Sequence, residues 1–136
     1  MHEWALAEGV IATALKAAEE QNKGRITRIA VTLGELQQIS RELFAGALKE
    51  VLPEADPRLE DTQIDLQIEE ALLQCRACGH QFAFADAGDE LAEVSAEAIH
   101  FVPELAHSFV KCPGCGSPDF EVVKGRGVWI DFIEGE

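Results

Sequence analysis

Apolar residues recur at three- and four-residue intervals between Glu3 and Glu20. Ala7, Val10, Ile11, Ala14, Leu15 and Ala18 therefore form one helical stripe. Asn22-Lys23-Gly24 supplies a stop, with Gly24 suited to the left-handed conformation past a helix end. The spacing then switches to two. Ile29, Val31 and Leu33 alternate with Ala30 and Thr32, which predicts a strand from Arg25 to Leu33 ending at Gly34-Glu35. Ser40 is placed to cap a second helix with the stripe Leu43, Phe44, Ala47, Leu48 and Val51, closed by Pro53 and Pro57. Ile64, Leu66 and Ile68 alternate with Asp65, Gln67 and Glu69, as in a half-buried strand, and Val128, Ile130 and Phe132 give a last one. The order helix, strand, helix, strand, insert, strand predicts an α+β fold. Two helices should cover one face of a small mixed three-stranded sheet.

The insert carries Cys75-Arg76-Ala77-Cys78-Gly79 and Cys112-Pro113-Gly114-Cys115-Gly116, with 33 residues between Cys78 and Cys112. A segment this short buries little and usually needs a metal or disulfides to fold. The alternating pattern stops near residue 74 and resumes near 117. The expectation is an α/β domain over 1–73 and 118–136 with an inserted zinc-binding domain over 74–117. That lobe is rubredoxin-like in its Cys-Pro-x-Cys-Gly half. Within it, Gln81 to Phe84 reads as a short strand and Asp86 to Ser95 as an acidic, flexible stretch. Pro103 to His107 reads as a short helix with proline in its first turn.

Composition narrows the function. The 136 residues are 47% hydrophobic, enough for a core, and carry a formal charge of −14 from 11 basic and 25 acidic residues. Affinity for nucleic acid comes mainly from Lys and Arg neutralising phosphates, so nucleic acid is excluded. A basic protein surface or a metal cation fits instead. With no secretory signal and no apolar run near the ~20 residues of a membrane span, a cytoplasmic location is expected. In that compartment two CxxC pairs read as a metal site rather than as disulfides.

Four thiolates at this spacing suit tetrahedral zinc, with no open position and hence a structural role for Cys75, Cys78, Cys112 and Cys115. Rubredoxin-type iron and a redox dithiol are the alternatives. His80 is expected to pack on the knuckle rather than replace a thiolate. The start Met1-His2-Glu3 offers a different chemistry. The α-amine, the His2 amide nitrogen and its ring Nδ1 can close fused chelate rings, with the Glu3 nitrogen as a fourth donor. Such a square of nitrogens suits Ni(II) or Cu(II). A histidine near a terminus is more often simply solvated. Here, however, Met1 should persist ahead of bulky His2, and the helix begins at once. His100 and His107 flank Pro103 and are either hydrogen-bonded histidines of the lobe or, for one of them, an additional nickel ligand, with His100 preferred. Gly125-Arg126-Gly127 precedes a strand and so reads as a turn, not a phosphate loop. No catalytic constellation is present, and no enzyme activity is expected.

Together these residues resemble the HypA family of nickel-insertion proteins. The resemblance rests on Met1-His2-Glu3, on the Leu33-Gly34-Glu35 step, on the two CxxC pairs, and on Phe120-Glu121-Val122-Val123-Lys124-Gly125 before the closing strand. The long gap between cysteine pairs is more like archaeal members. The resemblance implies a metallochaperone that binds transferable Ni(II) through His2 and neighbouring backbone nitrogens and keeps structural zinc on the cysteines. It further implies delivery of nickel to the large subunit of nickel–iron (NiFe) hydrogenase with a HypB-type nucleotide-hydrolysing partner; some relatives also serve urease. The rival readings are a zinc-ribbon adaptor, which leaves His2 without a task, and a rubredoxin-like electron carrier.

Overall fold

The computed structural model describes residues 2–84, 86, 100 and 110–136, without the side chains of His2 and Pro53. Met1, His107, the acidic stretch after Asp86 and the helix expected from Pro103 lie outside the described residues. The chain forms two compact units. One comprises Met1–Thr32, Ile39–Gln67 and Val128–Glu136, the other Leu33–Gln38 and Ile68–Gly127.

The first unit holds two helices, α1 (His2–Glu20) and α2 (Arg41–Ala55), and a sheet of β1 (Ile26–Gly34), β2 (Gln63–Glu69) and β6 (Val128–Gly135) in the order β2-β1-β6. Side-chain bonds across the sheet give the strand directions. Arg28 bonds Asp65 and Thr32 accepts from Gln67, so β1 and β2 run the same way. Arg28 also reaches Glu134, while Thr32 donates to Asp131, so β6 runs against β1. The sheet is mixed, as expected, and α2 supplies the crossover that a parallel pair needs.

α1 buries Ala7, Val10, Ile11, Ala14 and Ala18 of the stripe read from the sequence, leaves Leu15 half-buried, and packs on α2 and β6. Its stop differs from expectation. Asn22, not Gly24, takes the left-handed conformation, with φ 56°. The N–H of Asn22 donates to the Glu19 carbonyl at 3.2 Å and that of Lys23 to the Ala18 carbonyl at 2.8 Å. This is the paired closure of a Schellman motif, which asparagine tolerates because its short polar side chain suits that conformation. Gly24 instead donates to the Glu136 carbonyl at 2.8 Å.

Ser40 caps α2 by accepting from the Leu43 N–H at 3.4 Å. The helix then runs through Pro53 to Ala55. Its buried stripe is Phe44, Ala47, Leu48 and Leu52, whereas Leu43 is 65% exposed. Apolar anchoring on both sides of the last turn outweighs the one backbone bond that proline removes near a helix end. Asp56 then caps a short 3-10 turn, Pro57–Leu59. Along β6 the alternation slips by one residue, because Asp131 and Phe132 are both exposed. Phe132 was expected on the inner face with Val128 and Ile130. It lies outside, with the Arg28 guanidinium 5.1 Å above its ring, and Ile133 takes the half-buried place.

The second unit contains a sheet of which only one strand, the short one expected over Gln81 to Phe84, was read from the sequence. β3 (Leu72–Cys75) pairs antiparallel with β4 (Gln81–Ala83) on one side and β5 (Phe120–Lys124) on the other. Leu73 faces Phe82 and Val122, and Cys75 faces Phe120. A core of Leu36, Ala71, Leu73, Cys75, Phe82, Phe84, Val110, Cys112 and Phe120 lies behind the thiols. The unit is wider than residues 74–117 because β3 and β5 build its sheet from the flanks, and Leu36 fills its core. The Gly125-Arg126-Gly127 turn is present. Gly125 has φ 96°, and any Cβ there would collide with the Ala71 backbone. Its carbonyl accepts from the Leu36 N–H at 2.9 Å, and the Gly127 carbonyl accepts from Gly34 at 2.7 Å.

Candidate metal centre

Two backbone knuckles with the same bonding bring the cysteines together. In the first, the Gly79 N–H donates to the Cys75 carbonyl at 2.9 Å and the Cys75 N–H to the His80 carbonyl at 2.9 Å. In the second, Gly116 donates to Cys112 at 2.8 Å and Cys112 to Ser117 at 2.9 Å. Each turn closes through a glycine of positive φ, 77° at Gly79 and 78° at Gly116, a conformation that side chains disfavour. The first knuckle leaves the end of β3 and is tied to the start of β5, with Arg76 donating to Asp119 through its backbone at 2.9 Å and its guanidinium at 3.0 Å.

The four Sγ atoms all lie within 4.8 Å of one another. Cys75 and Cys115 are 3.5 Å apart, Cys78 and Cys112 3.7 Å. Four sulfurs around tetrahedral zinc, at ~2.3 Å each, stand roughly 3.8 Å from each other, so the donor set fits that ion. Cys75 and Cys112 sit at the base of the site, buried, with Cys78 and Cys115 exposed at its mouth. Backbone amides and neighbouring thiols divide the proton affinities. The Cys78 N–H directed at Cys75 holds that thiol down to about 7. At Cys115 the Ser117 N–H pulls downward, but the Cys75 thiol, burial and the remaining thiols prevail and push it up to about 12. At Cys78 the His80 N–H is likewise outweighed, by burial and the Cys112 and Cys75 thiols, and its pKa rises. The thiolate forms readily at Cys75, whereas Cys78 and Cys115 resist it. A divalent cation is what reverses that preference.

His80 stacks on Phe82, ring centroids 6.3 Å apart, and lies beside Gly114 of the second knuckle. His100 is buried, its Nδ1 2.8 Å from the Gln37 carbonyl. At the other candidate site, α1 starts at His2 with Glu3 in its first turn. The imidazole of His2, and Met1, lie outside the described residues. Sequence reasoning marked Glu35 only as part of the Leu33-Gly34-Glu35 step and gave no role to the groups that brace the second unit. The Glu35 carboxylate accepts from the Ala71 N–H at 2.8 Å, Glu69 from Gly125 at 2.8 Å, and the Gln37 side chain from Gly127 at 3.1 Å. Isolated polar residues carry no periodic signal that would have flagged them.

The fold and the thiol cluster define a small α+β protein with a four-cysteine metal centre. A family model for hydrogenase/urease nickel incorporation, the metallochaperone HypA, matches residues 1–135. The chain belongs to the HypA family. It is 47% identical over 136 residues to the hydrogenase maturation factor HypA of Pyrococcus abyssi, covering all of this chain and 96% of that one. It is 43% identical to the factor of the same name from Pyrococcus furiosus, covering all of this chain and 99% of the relative. Among solved structures, that of the Ni metallochaperone HypA from Helicobacter pylori matches with a TM-score of 0.62 at 20% identity, over 98% of this chain and 96% of that one. This likeness extends the common fold to distant sequences.

Proposed function

We propose that this chain is a nickel carrier. In this reading it takes up Ni(II) at its N-terminus through Met1, His2 and Glu3, and passes it on for maturation of the nickel–iron hydrogenase. The observation that carries the reading is the family match over residues 1–135 in a chain whose first helix begins at His2. A helix that starts there orders the His2 and Glu3 amide nitrogens, which with the α-amine would make up the nitrogen donors. The Glu3 carboxylate, near the positive end of the macrodipole, offsets charge brought in by the cation. Cargo bound at a chain end is easily dismantled by a recipient, which suits a carrier better than a catalyst. The hydrogenase large subunit and a HypB-type nucleotide-hydrolysing protein are the proposed partners, in the cytoplasm. No helix among the described residues is long and apolar enough to cross a membrane.

In the same reading, Cys75, Cys78, Cys112 and Cys115 hold zinc permanently. Zinc closed by four thiolates supplies folding energy rather than a reaction site. His100 is proposed as a further nickel ligand, with Nε2 as the donor atom and Nδ1 donating to the Gln37 carbonyl.

Nickel titration of the untagged chain beside one carrying a single extra N-terminal residue tests the proposal. The untagged chain should bind about one Ni(II) with a weak yellow absorption if the nitrogens are square planar, and the extended chain should not. Nickel X-ray absorption dominated by sulfur scattering would refute it.

A further inference from the structure

Along the packed pair α1 and α2 runs a groove of about 600 Å³ lined by Trp4, Glu8, Glu50, Val51, Glu54 and Ala55. Each helix contributes an i, i+4 pair to it, Trp4 with Glu8 and Glu50 with Glu54. Trp4 leaves 38% of its surface open. None of the three carboxylates has an ion-pair or hydrogen-bond partner among the described residues. Elsewhere in this unit Glu19, Asp56, Asp65 and Glu134 all meet arginine.

The arrangement also runs against the helix it stands on. The last turn of α2 holds Glu54 and no basic residue, so like charge adds to the negative end of the macrodipole. A local rule broken without compensation inside the chain is a mark of a functional surface. These carboxylates are too far apart to hold an ion. Among the described residues only the four cysteines converge closely enough for that. A partly exposed tryptophan beside spaced carboxylates matches guanidinium groups, which stack on such rings and bond a carboxylate through two parallel N–H groups. A groove between two helices takes a third helix, and a chain of net charge −14 draws basic partners toward it.

We propose that this groove docks an arginine-bearing helix of a partner protein, one guanidinium over Trp4 and others among Glu8, Glu50 and Glu54. The surface is independent of the nickel assignment.

The test uses the full chain with Trp129→Phe, leaving Trp4 as the only tryptophan. The probe is a tryptophan-free helical peptide with arginines four residues apart, compared with its glutamine counterpart. The arginine peptide should shift Trp4 fluorescence and bind more weakly as salt rises. Glu8→Gln, Glu50→Gln and Glu54→Gln together should weaken it on the order of tenfold, from three exposed pairs. Neutralising Glu20, Glu60 and Glu70 instead should leave it nearly unchanged. Equal weakening by both triples, or equal binding of the glutamine peptide, would overturn the proposal. The groove triple should also raise the melting temperature of the free protein by removing like-charge repulsion. A lowered melting temperature would make these carboxylates structural and equally defeat the docking role.

Discussion

Phe82 and Phe120 meet edge to face behind the thiol cluster, with ring centroids 6.0 Å apart and planes at 81°. Each lies opposite a residue of β3, Phe82 across from Leu73 and Phe120 across from Cys75. Aromatic packing and metal ligation therefore share one short strand. Phe120 is fully buried. Phe120→Ala should cost about 3–5 kcal/mol, the usual range for emptying such a site. Urea unfolding of the metal-loaded protein measures it, and release of metal at lower denaturant than in the wild type should accompany the loss.

Gly125 and Gly79 share a positive φ but differ in surroundings. At Gly79 nothing lies within 4 Å of an added Cβ, whereas at Gly125 it would strike the Ala71 backbone. Gly79→Ala should cost about 1–2 kcal/mol, the penalty of the left-handed conformation alone. Gly125→Ala should cost clearly more and disturb the Leu36 and Glu69 bonds to the turn. Comparing the two variants in one denaturation series checks the order. Equal costs would mean that the turn can move aside.

Metal removal should act unevenly. The buried core of the second unit is small, with two of its members the cysteines Cys75 and Cys112, and a domain of that kind leans on its ion. With a chelator present, hydrogen exchange at Leu73, Phe82 and Phe120 is expected to accelerate strongly. Ile11, Val31 and Leu48, in the other core, should accelerate far less. Uniform loss of protection in both sets would show a single cooperative unit.

Asp56 gives a pH dependence with a definite sign. Its bonds to the Arg58 guanidinium, at 2.9 and 3.0 Å, and to the Arg58 N–H, at 2.8 Å, hold its carboxyl down to about 2 from 3.8. A folded pKa below the unfolded one means stability that is complete above about 4 and lost as pH falls toward 2. Asp56→Asn should therefore lower the melting temperature at pH 7. The gap from wild type should close as the pH approaches 2. A gap that stays constant over this range would remove the carboxylate as its cause.

Most of the first unit was legible in the sequence because its elements are long and regularly patterned, although β1 buries both faces from Ile29 to Leu33. Ala7 to Ala18 and Ile29 to Leu33 repeat their periods often enough to be read without ambiguity. The errors fell at ends and irregularities: Asn22 taking the turn, α2 passing Pro53, and the slip at Asp131–Phe132. There a single side-chain bond or packing contact outweighs a short pattern. The cysteines were found by spacing alone, since a metal ligand set is written in residue type. Of the sheet beneath them only β4 was read, as a short strand over Gln81 to Phe84; β3 spans only Leu72–Cys75, too short for alternation to show.

The division of the chain has one further effect. The backbone passes from one unit to the other after Thr32, Gln38, Gln67 and Gly127, so neither unit is a continuous stretch. When the second unit is ordered, the ends of the 68–127 segment are already held close, by β3 against β5 and by Glu69 on Gly125. If that order melts, the first unit must close the same segment as a free loop, at an entropic expense on the order of 3 kcal/mol. A ligand gripped by the sulfurs would thus firm up the helices through the connectivity of the polymer itself.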